Sequence, residues 1–173
     1  MEPIETPDNP PEAEIRPPVP AGAALSPPES PEKKRANYNR LVRQAKLVSV
    51  LLEKLDFKAH PEAMGVAKSL LARDLVAKTK VMSTGTEDGT CVANIVWNIS
   101  LRFKRRVVAK CEASYVIIYE GTKDFSDETV NLFVDNVGKV ATYAYFRALY
   151  AHVDWSANLA SPPLPILQFQ PKV

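Results

Sequence analysis

Between Cys91 and Glu120 apolar and polar side chains alternate almost without interruption, and the only break is Lys104-Arg105-Arg106. Alternation with a period of two marks half-buried strands, and a short basic break between two such runs reads as a hairpin turn. Taking those three residues as the loop predicts facing pairs: Phe103 with Val107, Leu101 with Ala109, Ile99 with Cys111, Trp97 with Ala113, Ile95 with Tyr115, Ala93 with Ile117 and Cys91 with Tyr119. Every pair is apolar or aromatic, and large residues repeatedly oppose small ones, as cross-strand packing against a third surface prefers. The other face mixes Asn94, Asn98, Ser100, Arg102, Lys110 and Glu112 with valines and Ile118. A one-residue slip would move an entire apolar set to that face. In this register Cys91 and Cys111 lie too far apart for a disulfide, which makes them small core residues and fits a reducing compartment.

After Gly121 the period changes. Ser126 supplies a capping hydroxyl and Asp127 and Glu128 acidify a first turn. Val130, Val134, Val137, Ala141, Ala144, Ala148 and Ala151 then recur at helical spacing. Phe133, Val140, Tyr143, Phe146, Leu149 and Tyr150 widen the apolar side, so one face of this long helix can cover a sheet while another meets a partner helix. The segments Leu41–Phe57 and Ala67–Val81 fit helix and strand equally well, because periodicity does not separate short apolar runs. His60-Pro61 divides the two, and the run from Thr84 to Gly89 forms a turn before the hairpin.

Ten of the fifteen prolines lie in residues 1–36, a stretch without an aromatic residue. It cannot bury enough apolar surface to offset its ordering entropy, which predicts a disordered tail, with one domain over residues 37–173. The tail lacks the basic start and continuous apolar run of a signal peptide, and no apolar run in the chain approaches the roughly 18 residues that span a bilayer, so membrane insertion is not expected. The net charge of +2 divides unevenly, with seven acidic and four basic residues up to Ala36. The basic excess this leaves for the domain is modest. Its one dense cluster, Arg102 to Arg106, is more simply a solvated turn than a phosphate site, so nucleic acid is an unlikely partner; nucleic-acid binding by Arg102, Lys104, Arg105 and Arg106 stays open as an alternative function.

Enzyme chemistry finds no footing. Met64-Gly65-Val66-Ala67-Lys68-Ser69 lacks the first glycine and the Gly-Lys-Ser/Thr sequence of a phosphate loop. The two histidines, His60 and His152, build neither a metal cluster nor a triad by their spacing. Asn98-Ile99-Ser100 fits a glycosylation pattern but falls inside a strand. No catalytic residue, metal or cofactor is expected.

The run from Thr90 to Pro171 resembles the SecB family of export chaperones: two long antiparallel strands, a glycine, a long helix carrying Tyr145-Phe146-Arg147, and a loop from Leu159 to Phe169 rich in proline and leucine. Leu52–Ala63 is similar to the family's first strand. The resemblance implies an α+β fold, a four-stranded antiparallel sheet with a long helix packed on one side, and both ambiguous upstream segments as strands. It further implies a cytoplasmic, ATP-independent holdase for unfolded polypeptides, keeping preproteins competent for export. Assembly would be a homotetramer, a dimer of dimers joined through helices and sheet edges, with Val137, Ala141, Ala144 and Ala148 at the interface. Extended clients would lie on Trp97, Ile99, Val107, Ala109, Cys111, Ala113, Tyr115, Leu164, Ile166 and Phe169. The basic turn and the lack of an acidic, cysteine- and histidine-containing tail depart from the family and make docking on SecA doubtful. A dedicated SecB-like chaperone of an antitoxin or other single client is the alternative.

Overall fold

The computed structural model describes residues 30–84, 88–159 and 161–167. Helix α1 (Pro31–Gln44) leads into strand β1 (Lys46–Ala59), and two short turns connect it to β2 (Leu71–Thr84). The hairpin β3 (Cys91–Phe103) and β4 (Arg106–Glu120) follows, then α2 (Asp127–Phe133), one wide helical turn (Val134–Gly138) and α3 (Lys139–Ser156). The strands form a single antiparallel sheet in the order β1-β4-β3-β2. The fold is therefore α+β, with the helices covering one face of the sheet.

The hairpin holds the expected register from Leu101 opposite Ala109 to Cys91 opposite Tyr119. At the turn it differs. Only Lys104 and Arg105 form the loop, Lys104 adopting a positive φ of 55°, so Phe103 pairs with Arg106 and Arg102 with Val107. The missing step is made up by a bulge that leaves Val108 as an extra residue. The bulge turns both Val108 and Ala109 inward onto Leu71, Leu101 and Leu159, and leaves Val107 exposed.

Segment 41–57 is both a helix and a strand. The helical turn through Gln44 keeps Leu41 and, one turn earlier, Tyr38 in the core, and the chain turns extended at Ala45. The reading of this stretch as strand holds from Lys46 onward, and that of 67–81 from Leu71. Residues 31–36, placed in the tail by composition, are helical: the Ser30 hydroxyl accepts from the Lys33 amide, Pro31 opens the first turn, and Lys34 pairs with Glu128 at 2.7 Å. The rest of that tail, 1–29, lies outside the described residues.

From Ser126, whose hydroxyl caps the Thr129 amide, the helical segment runs to a close approach to the sheet at Gly138. A Cβ there would come within 2.9 Å of the Cδ1 atoms of both Ile95 and Ile117. One turn on, Thr142 donates to the Gly138 carbonyl at 3.0 Å and accepts from the Trp97 indole at 2.9 Å, pinning helix to sheet with a satisfied buried hydrogen bond. Phe146 stacks on Trp97 with ring centres 5.6 Å apart, and Tyr143 tilts against it at 5.1 Å.

Candidate polypeptide-binding surface

The hairpin face expected to receive clients is the bed of the protein's own helix. Trp97, Ile99, Ala109, Cys111, Ala113 and Tyr115 are all buried, none more than 3% exposed. The room left by the small side chains is taken by the aromatic side of α3, since Tyr143, Phe146 and Tyr150 join Trp97, Cys111, Ala113 and Tyr115 in one core cluster. These six positions therefore offer no surface to a client, which corrects the expectation. Alternation reveals that a strand face is covered but not by what. Burial raises the thiols of Cys91 and Cys111 to about 11, with Asp56 and Glu112 adding to the effect at Cys111. Both remain protonated and unreactive near neutral pH.

In the C-terminal segment the expected positions divide, and the buried one offers no surface either. Leu164 is buried against the main core, Ile166 is 77% exposed, and Phe169 lies outside the described residues. The segment runs back along α3 and is tied at every step. The Ser161 amide donates to both oxygens of Asp154 at 3.1 Å, and the hydroxyls of Tyr150 and Ser161 meet at 3.1 Å. Arg73 donates to the carbonyls of Pro162 and Pro163, and the Tyr143 hydroxyl to that of Pro165. Prolines suit this strap, for they carry no amide hydrogen that would need a partner. Between strap and helix a groove of about 270 Å³ remains, walled by Arg147, Tyr150, Ala151, Pro162 and Pro163. Trp155 stands at it, 85% exposed. Burial pushes the Tyr150 phenol up to about 12 although its bond to Ser161 opposes this, so the groove wall carries an uncharged hydroxyl.

Two further apolar surfaces are exposed among the described residues. On α3 and the wide turn before it, Ala144 and Ala148 are exposed and Val137 and Ala141 half-buried, flanked by the exposed Val140 and Tyr145. The row continues in sequence through Ala151 to Trp155, and this continuation was the signal that could have singled out the tryptophan. On the sheet, β1 is an edge strand that exposes Leu47, Val48, Leu51, Leu52 and Leu55. Bulges at Val48 and Glu53 interrupt its ladder, and the Glu53 carboxylate holds the second by accepting from Asn94 and Ser114, each at 2.9 Å. The opposite edge, β2, is blunted by exposed Asp74, Lys78 and Lys80, whereas β1 presents unpaired backbone groups with leucines on both sides. No helix among the described residues is long and apolar enough to cross a membrane.

No protein-family model and no curated protein matches the sequence. Among solved structures, the Mycobacterium tuberculosis Rv1957 SecB-like chaperone in complex with a ChAD peptide from the Rv1956 HigA1 antitoxin matches with a TM-score of 0.61 and 18% identity, over 78% of this chain and 97% of that one. A protein of unknown function from Streptococcus agalactiae aligns at 12% identity, over 72% of this chain and 97% of that one, with a TM-score of only 0.31. The fold is that of the SecB-like chaperone.

Proposed function

We propose that the protein is a cytoplasmic, ATP-independent chaperone that holds extended apolar polypeptide segments in the groove between α3 and the C-terminal strap. One observation carries this reading: Trp155, a large aromatic with most of its surface in water, borders a concave wall of Tyr150, Pro162 and Pro163. Exposed tryptophans beside grooves are the anchors around which binding energy concentrates. Ile166, exposed beyond Leu164, extends the apolar track along the strap. Affinity for many sequences then comes from non-directional burial, about 25 cal/mol per Å² of apolar area, with few specific polar anchors.

In the same reading the protomers form a homotetramer. The alanine row of α3 lets helices approach closely, and the β1 edge pairs with its counterpart, covering the two apolar surfaces that stay exposed among the described residues. Clients are preproteins kept competent for export, or a single dedicated partner. The second is favoured by the solved SecB-like chaperone, whose bound peptide comes from an antitoxin. The test is suppression of aggregation of a reduced, unfolded polypeptide without nucleotide, comparing the parent with Trp155→Ala. Removing the anchor should weaken capture about thirty-fold, the equivalent of a loss of about 2 kcal/mol, while leaving the melting transition in place. A variant that holds the client as well as the parent would move the site elsewhere.

A further inference from the structure

The β3–β4 turn concentrates Arg102, Lys104, Arg105 and Arg106, all exposed. None of the four makes a side-chain hydrogen bond or ion pair among the described residues; Lys104 instead sits over the Phe103 ring, 5.2 Å from its centre. Three lysines on β1 and β4 are paired by contrast: Lys58 lies 3.5 Å from Asp56, and Lys54 and Lys110 lie 3.7 and 3.6 Å from Glu112. Beside the turn is a concavity of about 510 Å³ lined by Glu62, Phe103, Lys104, Arg105, Arg106 and Val108, in which Glu62 is the one carboxylate. The helix bearing Trp155 ends at this same end of the molecule, for Leu159, one turn beyond the tryptophan, packs into the cluster of Leu101 and Val108, with Ala157 and Phe103 against it.

We propose that the β3–β4 turn is a docking site for an acidic polypeptide segment, the flank of an apolar stretch held in the groove at Trp155. The inference rests on the groove reading and adds to it the chemical class of the client: apolar residues adjoining a run of aspartate or glutamate. Unpaired guanidinium groups supply the charge complementarity and steer such a chain in, an effect that salt weakens. A nucleic acid fits less well. Its backbone needs a longer basic track with aromatic faces for bases, and here the only ring, Phe103, is half-buried and already covered by Lys104.

The experiment uses the full chain and three labelled peptides that share one apolar core and carry short flanks of aspartate, serine or lysine. At low ionic strength the aspartate peptide should bind about tenfold more tightly than the serine peptide and the lysine peptide more weakly, the three converging as salt is raised. Replacing Arg105 and Arg106 together by serine should erase the preference, and the pair Arg105→Glu and Arg106→Glu should invert it, while the serine peptide binds all three proteins alike. That constancy also shows that the variants are folded. Equal affinity for the aspartate and serine peptides overturns the docking site and leaves the groove reading intact. Binding of none of the peptides overturns both. Displacement of the aspartate peptide by a duplex oligonucleotide of equal charge, at lower concentration than by free aspartate peptide, reassigns the turn to phosphates and overturns the polypeptide.

Discussion

The chain has two tryptophans, and they live in opposite environments. Trp97 is 3% exposed, donates to Thr142 and stacks on Phe146; Trp155 is 85% exposed on the same helix that covers Trp97. The first belongs to the energy that fastens α3 to the sheet. The second contributes almost nothing to the protomer's stability, and its exposed indole makes sense as surface reserved for something else. A substitution that separates stability from binding therefore sorts the two, and the following outcomes are expected, in order of size.

Trp97→Ala should cost about 3–5 kcal/mol in denaturant unfolding, because it opens a large cavity and removes the indole that donates to Thr142, whereas Trp155→Ala should stay within about 0.5 kcal/mol. Comparable losses at both positions would erase the contrast. Deleting residues 1–44 removes Tyr38 and Leu41 from the core and should lower stability by about 2–5 kcal/mol, while deleting 1–29 should leave the melting transition unchanged. Thr142→Val keeps the shape of the side chain and strands the Trp97 N–H, for a loss of about 1–3 kcal/mol by the same measurement. Ala144→Arg, on the outer row of α3, should leave protomer stability nearly unchanged and reduce the mass seen by light scattering; a parent that is already monomeric at micromolar concentration would refute the tetramer.

The thiols act only at alkaline pH, where the sign of their effect is fixed. Their ordinary value is 9.0 and burial raises both to about 11 in the folded chain. The unfolded chain thus loses protons first as pH rises, so stability is fully present below pH 9 and declines from there toward pH 11. The decline should be visible as a falling melting temperature that flattens in the variant Cys91→Ala with Cys111→Ala.

The parts of the fold legible in the sequence are those whose pattern is local. Eleven consecutive pairings of the hairpin follow from alternation alone, but the turn is shorter than it reads, because the bulge at Val108 answers to Leu71 and Leu159, which are remote in sequence. Helix α1 is hidden by the prolines before it and is held by tertiary burial of Tyr38 and Leu41. The hairpin face expected to receive clients is covered for a related reason. A small-residue face signals that something bulky lies on it, and here that is the aromatic side of α3 over Cys111 and Ala113 and Leu159 beside Ala109 rather than a client. Leu164 and Ile166 mark the strap that does border the groove, whereas Trp155 escaped notice because a single aromatic at the end of an alanine row resembles one more core residue.

The central claim is that Trp155 is the client anchor, and the two-tryptophan composition lets one measurement address it. In Trp97→Phe the indole at 155 is the only one left, so its emission reports its own surroundings. Titration with a reduced, unfolded polypeptide should shift that emission to shorter wavelength, saturably and over the same concentrations that suppress client aggregation, as the ring leaves water. Saturable aggregation suppression with the emission unmoved would contradict the claim, since a client would then be held while Trp155 stays in solvent.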